Sequence, residues 1–195
     1  MIDPLLPQDE GSTPLTEEER EGLIPSYIVD RHELNEAEQS NILAAEEWAF
    51  RRPRNVLSQK FLNELHKRLF GEVWSWAGEY RKTGKTIGVE AYQIPTCLQQ
   101  LIDDCTYWLE HSTYEPDETA ARFHHRLVFI HPYVNGNGRH SRLAADLLLA
   151  SLEVPRFTWG KENLVSPGDT RTRYIEALQA ADEHDYAPLL GFVRS

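Results

Sequence analysis

His131-Pro-Tyr-Val-Asn-Gly-Asn-Gly-Arg-His-Ser-Arg142 opens on an imidazole, closes on two guanidinium groups and turns between them on glycine. Gly136 and Gly138 have no Cβ, so the backbone around Asn137 can pass through positive φ and bring successive N–H groups up to an anion. Leu143 to Leu152 follow as a strongly apolar run that predicts a buried helix. The glycine turn therefore lies at a helix N-terminus, where orphan N–H groups and the helix dipole favour negative charge. Arg139 and Arg142 are three residues apart, on one face of the first turn, and can clamp phosphate oxygens. His131 stands one loop away as a group that titrates near neutrality. A glycine turn before a helix is by itself a common structural turn, and the lysine of a Walker-type loop is missing. The combination of imidazole, glycine turn and phased arginines is what points to phosphate chemistry.

Working outward from this stretch, the chain reads as helices. Pro116, Asp117 and Glu118 open one whose stripe of Ala120, Phe123, Leu127 and Ile130 delivers the chain to His131. Before it, Pro95 starts a helix with Leu98, Leu101, Ile102, Cys105, Trp108 and Leu109 in phase. Ser58 to Phe70 predicts another, with Phe61, Leu62, Leu65 and Leu69 on one face. Leu34 to Phe50 predicts one more, with Asn35 as its candidate cap and Pro53 beyond its end. Downstream, past Pro155 and Gly160, Tyr174, Ala177, Leu178 and Ala181 mark a helix and Leu189, Leu190, Phe192 and Val193 the last. Trp74 to Arg81 is aromatic, turns at Gly78 and reads as core filling. Lys82 to Gln93, with Gly84, Gly88 and alternating Thr86, Ile87, Val89 and Tyr92, predicts a small β-hairpin. The expected fold class is all-α with that one hairpin. Residues 1–33 are expected to form a partly ordered N-terminal arm, in which Thr16 ahead of Glu17 to Glu19 can cap a short helix reaching Leu23, and residues 34–195 the domain proper.

Bulk properties bound the rest. The chain has 195 residues, one ordinary domain, and a formal net charge of -11 from 20 Lys plus Arg against 31 Asp plus Glu. That balance argues against general binding of nucleic acid or anionic membranes, so a bound anion has to be held by local geometry. No run approaches ~20 apolar residues, and Cys97 and Cys105 read as small hydrophobes in a reducing compartment. The expectation is a cytoplasmic protein. His124 and His125 point to different faces of one helix and no histidine pair has zinc spacing, so a structural metal is not expected. Ser141 lacks a nucleophile elbow, which sets aside a serine hydrolase.

The stretch resembles the signature of the Fic (filamentation) family, H-x-F-x-D/E-G-N-G-R-x-x-R, with His131, Gly136, Asn137, Gly138, Arg139 and Arg142 in place. Tyr133 stands for the usual Phe, and Asn135 for the usual acid. Trp76 to Arg81, Gly84 to Pro95 and Tyr174 to Phe192 also resemble the family, and the whole chain looks most like its mobile mystery protein B subfamily, of bacterial mobile elements. The resemblance implies a Fic-type helical bundle with a small β-hairpin flap. It also implies transfer of AMP from ATP to a Ser, Thr or Tyr hydroxyl of a target protein, with His131 as general base and Gly136, Asn137, Gly138, Arg139 and Arg142 on the phosphates. Tyr174 and Asp182 match positions that face adenine, Asp182 standing for the more usual Asn. Thr86, Ile87, Gly88 and Val89 match the flap that aligns a target segment. The family's acid helps hold Mg2+, so Asn135 is left as a ligand through one amide oxygen, which weakens the metal site.

Two rivals stay beside adenylylation: Doc-like transfer of a γ-phosphate on the same scaffold, against which Gly136 stands where Doc proteins carry lysine, and a catalytically silent module that binds nucleotide or a partner. Many relatives restrain themselves with a [ST]-x-x-x-E-[GN] helix whose glutamate pairs with the second signature arginine, here Arg142. Ser40 to Ala45, Glu17 to Gly22 and Thr172 to Ala177 each match it only in part. Restraint is therefore expected from a separate inhibitory protein or from a variant pairing by the N-terminal arm. A homodimer is left open.

Overall fold

The computed structural model describes residues 15–85, 87–161, 164 and 168–195, with the side chain of Arg31 left aside. Their helices are α1 (Glu17–Arg20), α2 (Arg31–Phe50), α3 (Gln59–Phe70), α4 (Ile94–Glu110), α5 (Pro116–Ile130), α6 (Asn137–Ser151), α7 (Asp169–Asp182) and α8 (Ala187–Val193), with single 3-10 turns at Ala91–Gln93 and Trp159–Lys161. The starts follow the local chemistry. Ser58 accepts from the Phe61 N–H at 3.2 Å to cap α3, prolines stand in the first turns of α4, α5 and α8, and Thr16 and Glu19 close a capping box on α1. α1 ends at Arg20, short of Leu23. Asn35 is not the cap of α2. Asp30 is, accepting from the Glu33 N–H at 3.0 Å, because the first turn of α2 is polar and shows no apolar stripe.

α5 and α6 form the central pair, with α4 on one flank of α5 and α3 on α6; α2 covers α3, and α7 pairs with α8. Leu62, Leu65, Leu69, Phe70, Leu98, Leu101, Phe123, Leu127, Leu148 and Leu149 make one continuous buried core. Such positions are worth ~2–5 kcal/mol each on truncation to alanine. The pairing of α5 with α6 sets the end of one helix against the start of the next, and the signature stretch is the connection between them. The boundary expected at residue 33 falls inside the first turn of α2, and Leu15 and Ile28 are already core residues. Among the described residues no helix is long and apolar enough to cross a membrane.

The expected β-hairpin over 82–93 is not formed among the described residues. Thr86 lies outside them. The carbonyls of Thr83 and Val89 accept from the Arg81 guanidinium, and the Val89 N–H donates to Ile130 O at 3.4 Å. Backbone groups that a ladder needs are thus bonded to one side chain and to the end of α5. Among the described residues the one strand-like pairing lies elsewhere: Leu23 bridges Trp74 antiparallel, with Ile24 N–H on Val73 O at 2.9 Å and Ser75 N–H on Gly22 O at 2.8 Å.

Candidate active site

His131 ends α5. Its N–H still reaches Leu127 O at 3.3 Å, but its backbone turns left-handed, with φ 53° and ψ 59°, a conformation that costs a non-glycine residue ~1–2 kcal/mol. Pro132 disfavours helix at the residue before it. Arg81 secures the turn, Nε donating to His131 O at 2.7 Å and its N–H to Pro132 O at 2.9 Å. The imidazole is buried. Burial, then the nearby charges of Arg81 and Lys85, lower its pKa to about 4, against a raising hydrogen bond to the Val128 backbone. It is a neutral base at every pH near 7.

The glycine turn is built on aromatic rings. Tyr133 is fully buried, stacked 3.7 Å from the ring of His66 and edge-on to His140, and its hydroxyl donates to Asn63 at 2.9 Å. Tyrosine in place of the usual phenylalanine thus gains a polar partner. His66 accepts the Gly78 N–H on Nδ1 at 2.9 Å, so its proton sits on Nε2 and is donated to Asn135 O at 3.0 Å. Burial and the neighbouring His140 keep this ring neutral, its pKa well below the usual value. Asn137 bonds Tyr133 twice, through its Oδ1 and Nδ2, each at 2.9 Å, so its side chain closes the loop. Gly136 has φ +77°, and a Cβ there would fall 2.4 Å from the Phe70 ring; only glycine fits. Its N–H donates to Asn135 Oδ1 at 2.6 Å. The N–H groups of Asn137, Gly138 and Arg139 begin α6 with no intrahelical acceptor. Of the two glycines Gly136 takes the positive φ, and Gly138 is helical.

The two arginines are held apart. Arg139 pairs with Glu38 of α2 and lies 4.7 Å over Phe70. Glu38 accepts on its other oxygen from Trp74 Nε1 at 2.8 Å. Arg142 folds back toward the turn, its Nη1 3.7 Å from where a Cβ on Gly138 would stand. Its guanidinium lies 5.6 Å from the centroid of the Tyr174 ring, and the Tyr174 hydroxyl bonds His124 Nε2 at 3.0 Å. Tyr174 is buried under Arg142, whereas Asp182 is exposed and accepts from His125 Nε2 at 2.8 Å. Tyr186 holds the other nitrogen of His125 at 3.0 Å. In the flap segment Ile87 and Gly88 are exposed, while Val89 has both backbone groups engaged inward.

Sequence reading missed Glu38, Arg81, His66 and Glu19. Glu38 had a signal: it lies on the stripe of Leu34, Ala45 and Ala49, where a carboxylate has to meet a cation. Glu19 accepts from Thr83 at 2.9 Å and pairs with Lys85, tying α1 to the flap segment.

Fold and site together define a helical bundle in which a neutral, buried imidazole ends one central helix and a glycine turn leads from it into the N-terminus of the next. The chain belongs to the Fic/DOC family, whose model matches residues 56–149, from Val56 ahead of α3 to nearly the end of α6. It is 36% identical over 138 residues to the protein adenylyltransferase Fic of Drosophila melanogaster, covering 69% of this chain and 27% of that protein. The protein of the same name from Drosophila grimshawi is 32% identical over 141 residues, covering 70% and 28%. This chain thus spans little more than a quarter of the curated relatives it matches. Among solved structures, C. elegans Fic-1 matches with a TM-score of 0.66 at 27% identity, over 91% of this chain and 52% of that one. The BepC effector of Bartonella tribocorum, solved with bound AMPPNP, gives 0.67 at 21% identity over 92% and 97%, a likeness of fold alone.

Proposed function

We propose that the protein transfers AMP from ATP to a hydroxyl side chain of a target protein. The observation that carries this reading is the neutral, buried imidazole of His131, one short loop ahead of the N-terminus of α6, in a chain similar to proteins named protein adenylyltransferase. In the step, the hydroxyl oxygen attacks the α-phosphorus, its proton passes to His131, and the bond to the leaving pyrophosphate breaks. Such a base contributes ~10²–10⁴-fold. The N–H groups of Asn137 and Gly138, with Arg142 and Arg139, receive the charge that builds on the phosphates. Asp182 and the α7 face around Tyr174 lie on the adenine side in this reading, and Ile87 to Val89 meet the target.

Magnesium is the family's usual companion of ATP, and Asn135 would hold it only weakly, through one neutral oxygen. Asn135 is neutral, and its amide oxygen already accepts the Gly136 N–H. Among the described residues no three His, Cys, Asp or Glu side chains group as ligands. No step above is routed through a metal.

ATP labelled at the α or the γ position tests the reading. The α label is expected to become covalently attached to protein and to be lost in His131→Ala. Attachment of the γ label would establish kinase-type chemistry, and attachment of neither, with ATP still bound, a binding module.

A further inference from the structure

Arg81 is only 3% exposed, and burying a guanidinium is costly unless its donors are used. They are used on carbonyls from two sides of one junction. Nε donates to His131 O at 2.7 Å, Nη1 to Thr83 O at 2.9 Å and Nη2 to Val89 O. The Arg81 N–H adds Pro132 O at 2.9 Å, and the Val89 N–H closes the ring of contacts on Ile130 O. Gly88, at φ +103°, lets the segment lie directly against the base: a Cβ there would be 2.6 Å from His131 Cβ and 2.8 Å from Arg81 Nη2. A planar fork with fixed donors can bond three carbonyls at once, and an ammonium on a flexible stem cannot reproduce that geometry.

We propose that Arg81 is a positioning residue for His131: by bonding the left-handed His131 carbonyl together with those of Thr83 and Val89, it fixes the base and the segment facing it as one unit. The role in catalysis rests on the adenylylation reading; the mechanical role does not. The charges that face His131 are Arg81 itself and Lys85, and Arg81 in turn faces Glu90 and Glu19. Removing the Arg81 charge leaves burial and Lys85 to hold the imidazole neutral, so its pKa moves up toward the usual 6.5 without reaching it.

Wild type, Arg81→Met and Arg81→Lys, followed by NMR, decide the matter. Arg81→Met is expected to speed amide exchange at Val89 and His131 by about tenfold or more, since bonds to charged donors hold them, while amides inside α3 and α6 keep their rates. Its His131 ring titrates at higher pH than in wild type. Arg81→Lys keeps the charge and loses the fork, so its ring titrates near the wild-type value while exchange at Val89 remains fast. In transfer assays both variants lose kcat with KM for ATP held. The proposal is overturned if exchange rises evenly across α3, α5 and α6, or if Val89 and His131 keep their wild-type rates. Should Arg81→Met fail to fold, Arg81→Lys carries the same comparison. A wild-type protein that attaches no label from ATP would refute adenylylation, and the exchange and titration results would still decide the role of Arg81.

Discussion

Arg139 and Arg142 share a charge and a helical turn, yet the fold gives them different partners. Arg139 is committed to Glu38, which has a side chain 10% exposed and also accepts from Trp74. Removing one partner of so buried a pair leaves the other charge uncompensated. Arg142 is turned toward the glycine loop and lies over the ring of Tyr174. Arg139→Gln is therefore expected to cost ~1–3 kcal/mol of stability in urea unfolding, with the smaller effect on ATP affinity. Arg142→Gln is expected to weaken ATP binding about tenfold or more in titration calorimetry, with the smaller effect on stability. The reverse order would make Arg139 the main phosphate ligand. Asn135 gives a second test at this scale. A carboxylate at 135 still accepts the Gly136 N–H and adds the charged oxygen that hard cations prefer. Asn135→Asp should lower the Mg2+ concentration needed for half-maximal ATP binding, and an unchanged value would refute the account of this position.

Helices were legible wherever packing imposes the 3.6-residue period, and the connections were not. Ser58, Pro95 and Pro116 announced α3, α4 and α5, and the stripe ending at Ile130 carried the chain correctly to His131. Alternation at 86–92 looked like a strand because sequence patterns register side chains, whereas Arg81 decides where the carbonyls go. The histidine, glycine turn and arginines were readable as one motif. Their holding partners were not, since Glu38 and His66 approach from helices 101 and 69 residues away in sequence. α1 shows what such long-range contacts do. It has one turn and no helical stability of its own, yet Glu19 satisfies Thr16, Thr83 and Lys85 together and its carbonyl accepts Trp76 Nε1 at 2.9 Å. Burial raises the Glu19 pKa, but Lys85 and the bonds from Thr16 and Thr83 outweigh it and the net shift is downward. Glu19→Ala should open residues 15–24 and the 82–90 segment to limited proteolysis and cost ~1–3 kcal/mol. Unchanged cleavage at both would mean that α1 is no strap.

Across the whole molecule, five of the eight histidines, His66, His124, His125, His131 and His140, have pKa values lowered below 6.5, each chiefly by burial. The values fall to about 3 for His124 and about 4 for His131 and His140. In the unfolded chain all five titrate near the ordinary ~6.5. As pH drops below that value the unfolded state takes up protons that the folded state refuses, so stability is full above pH 6.5 and is lost progressively down to about 4. Each such histidine contributes about 1.4 kcal/mol per pH unit inside that window. Near pH 5.5, unfolding should therefore take up between three protons, for His124, His131 and His140, and five, if every lowered histidine takes part fully. The dependence of calorimetric enthalpy on buffer ionisation counts them, and uptake of one or none would mean that the imidazoles are charged in the fold. The same shifts set the acid limb of activity. His131 stays deprotonated down to about pH 4 while the fold holds, so the base does not fail first. Transfer rate and helical circular dichroism should fall together on acidification, and a rate that halves near pH 6.5 with the dichroism intact would place an ordinary, solvent-accessible imidazole at position 131.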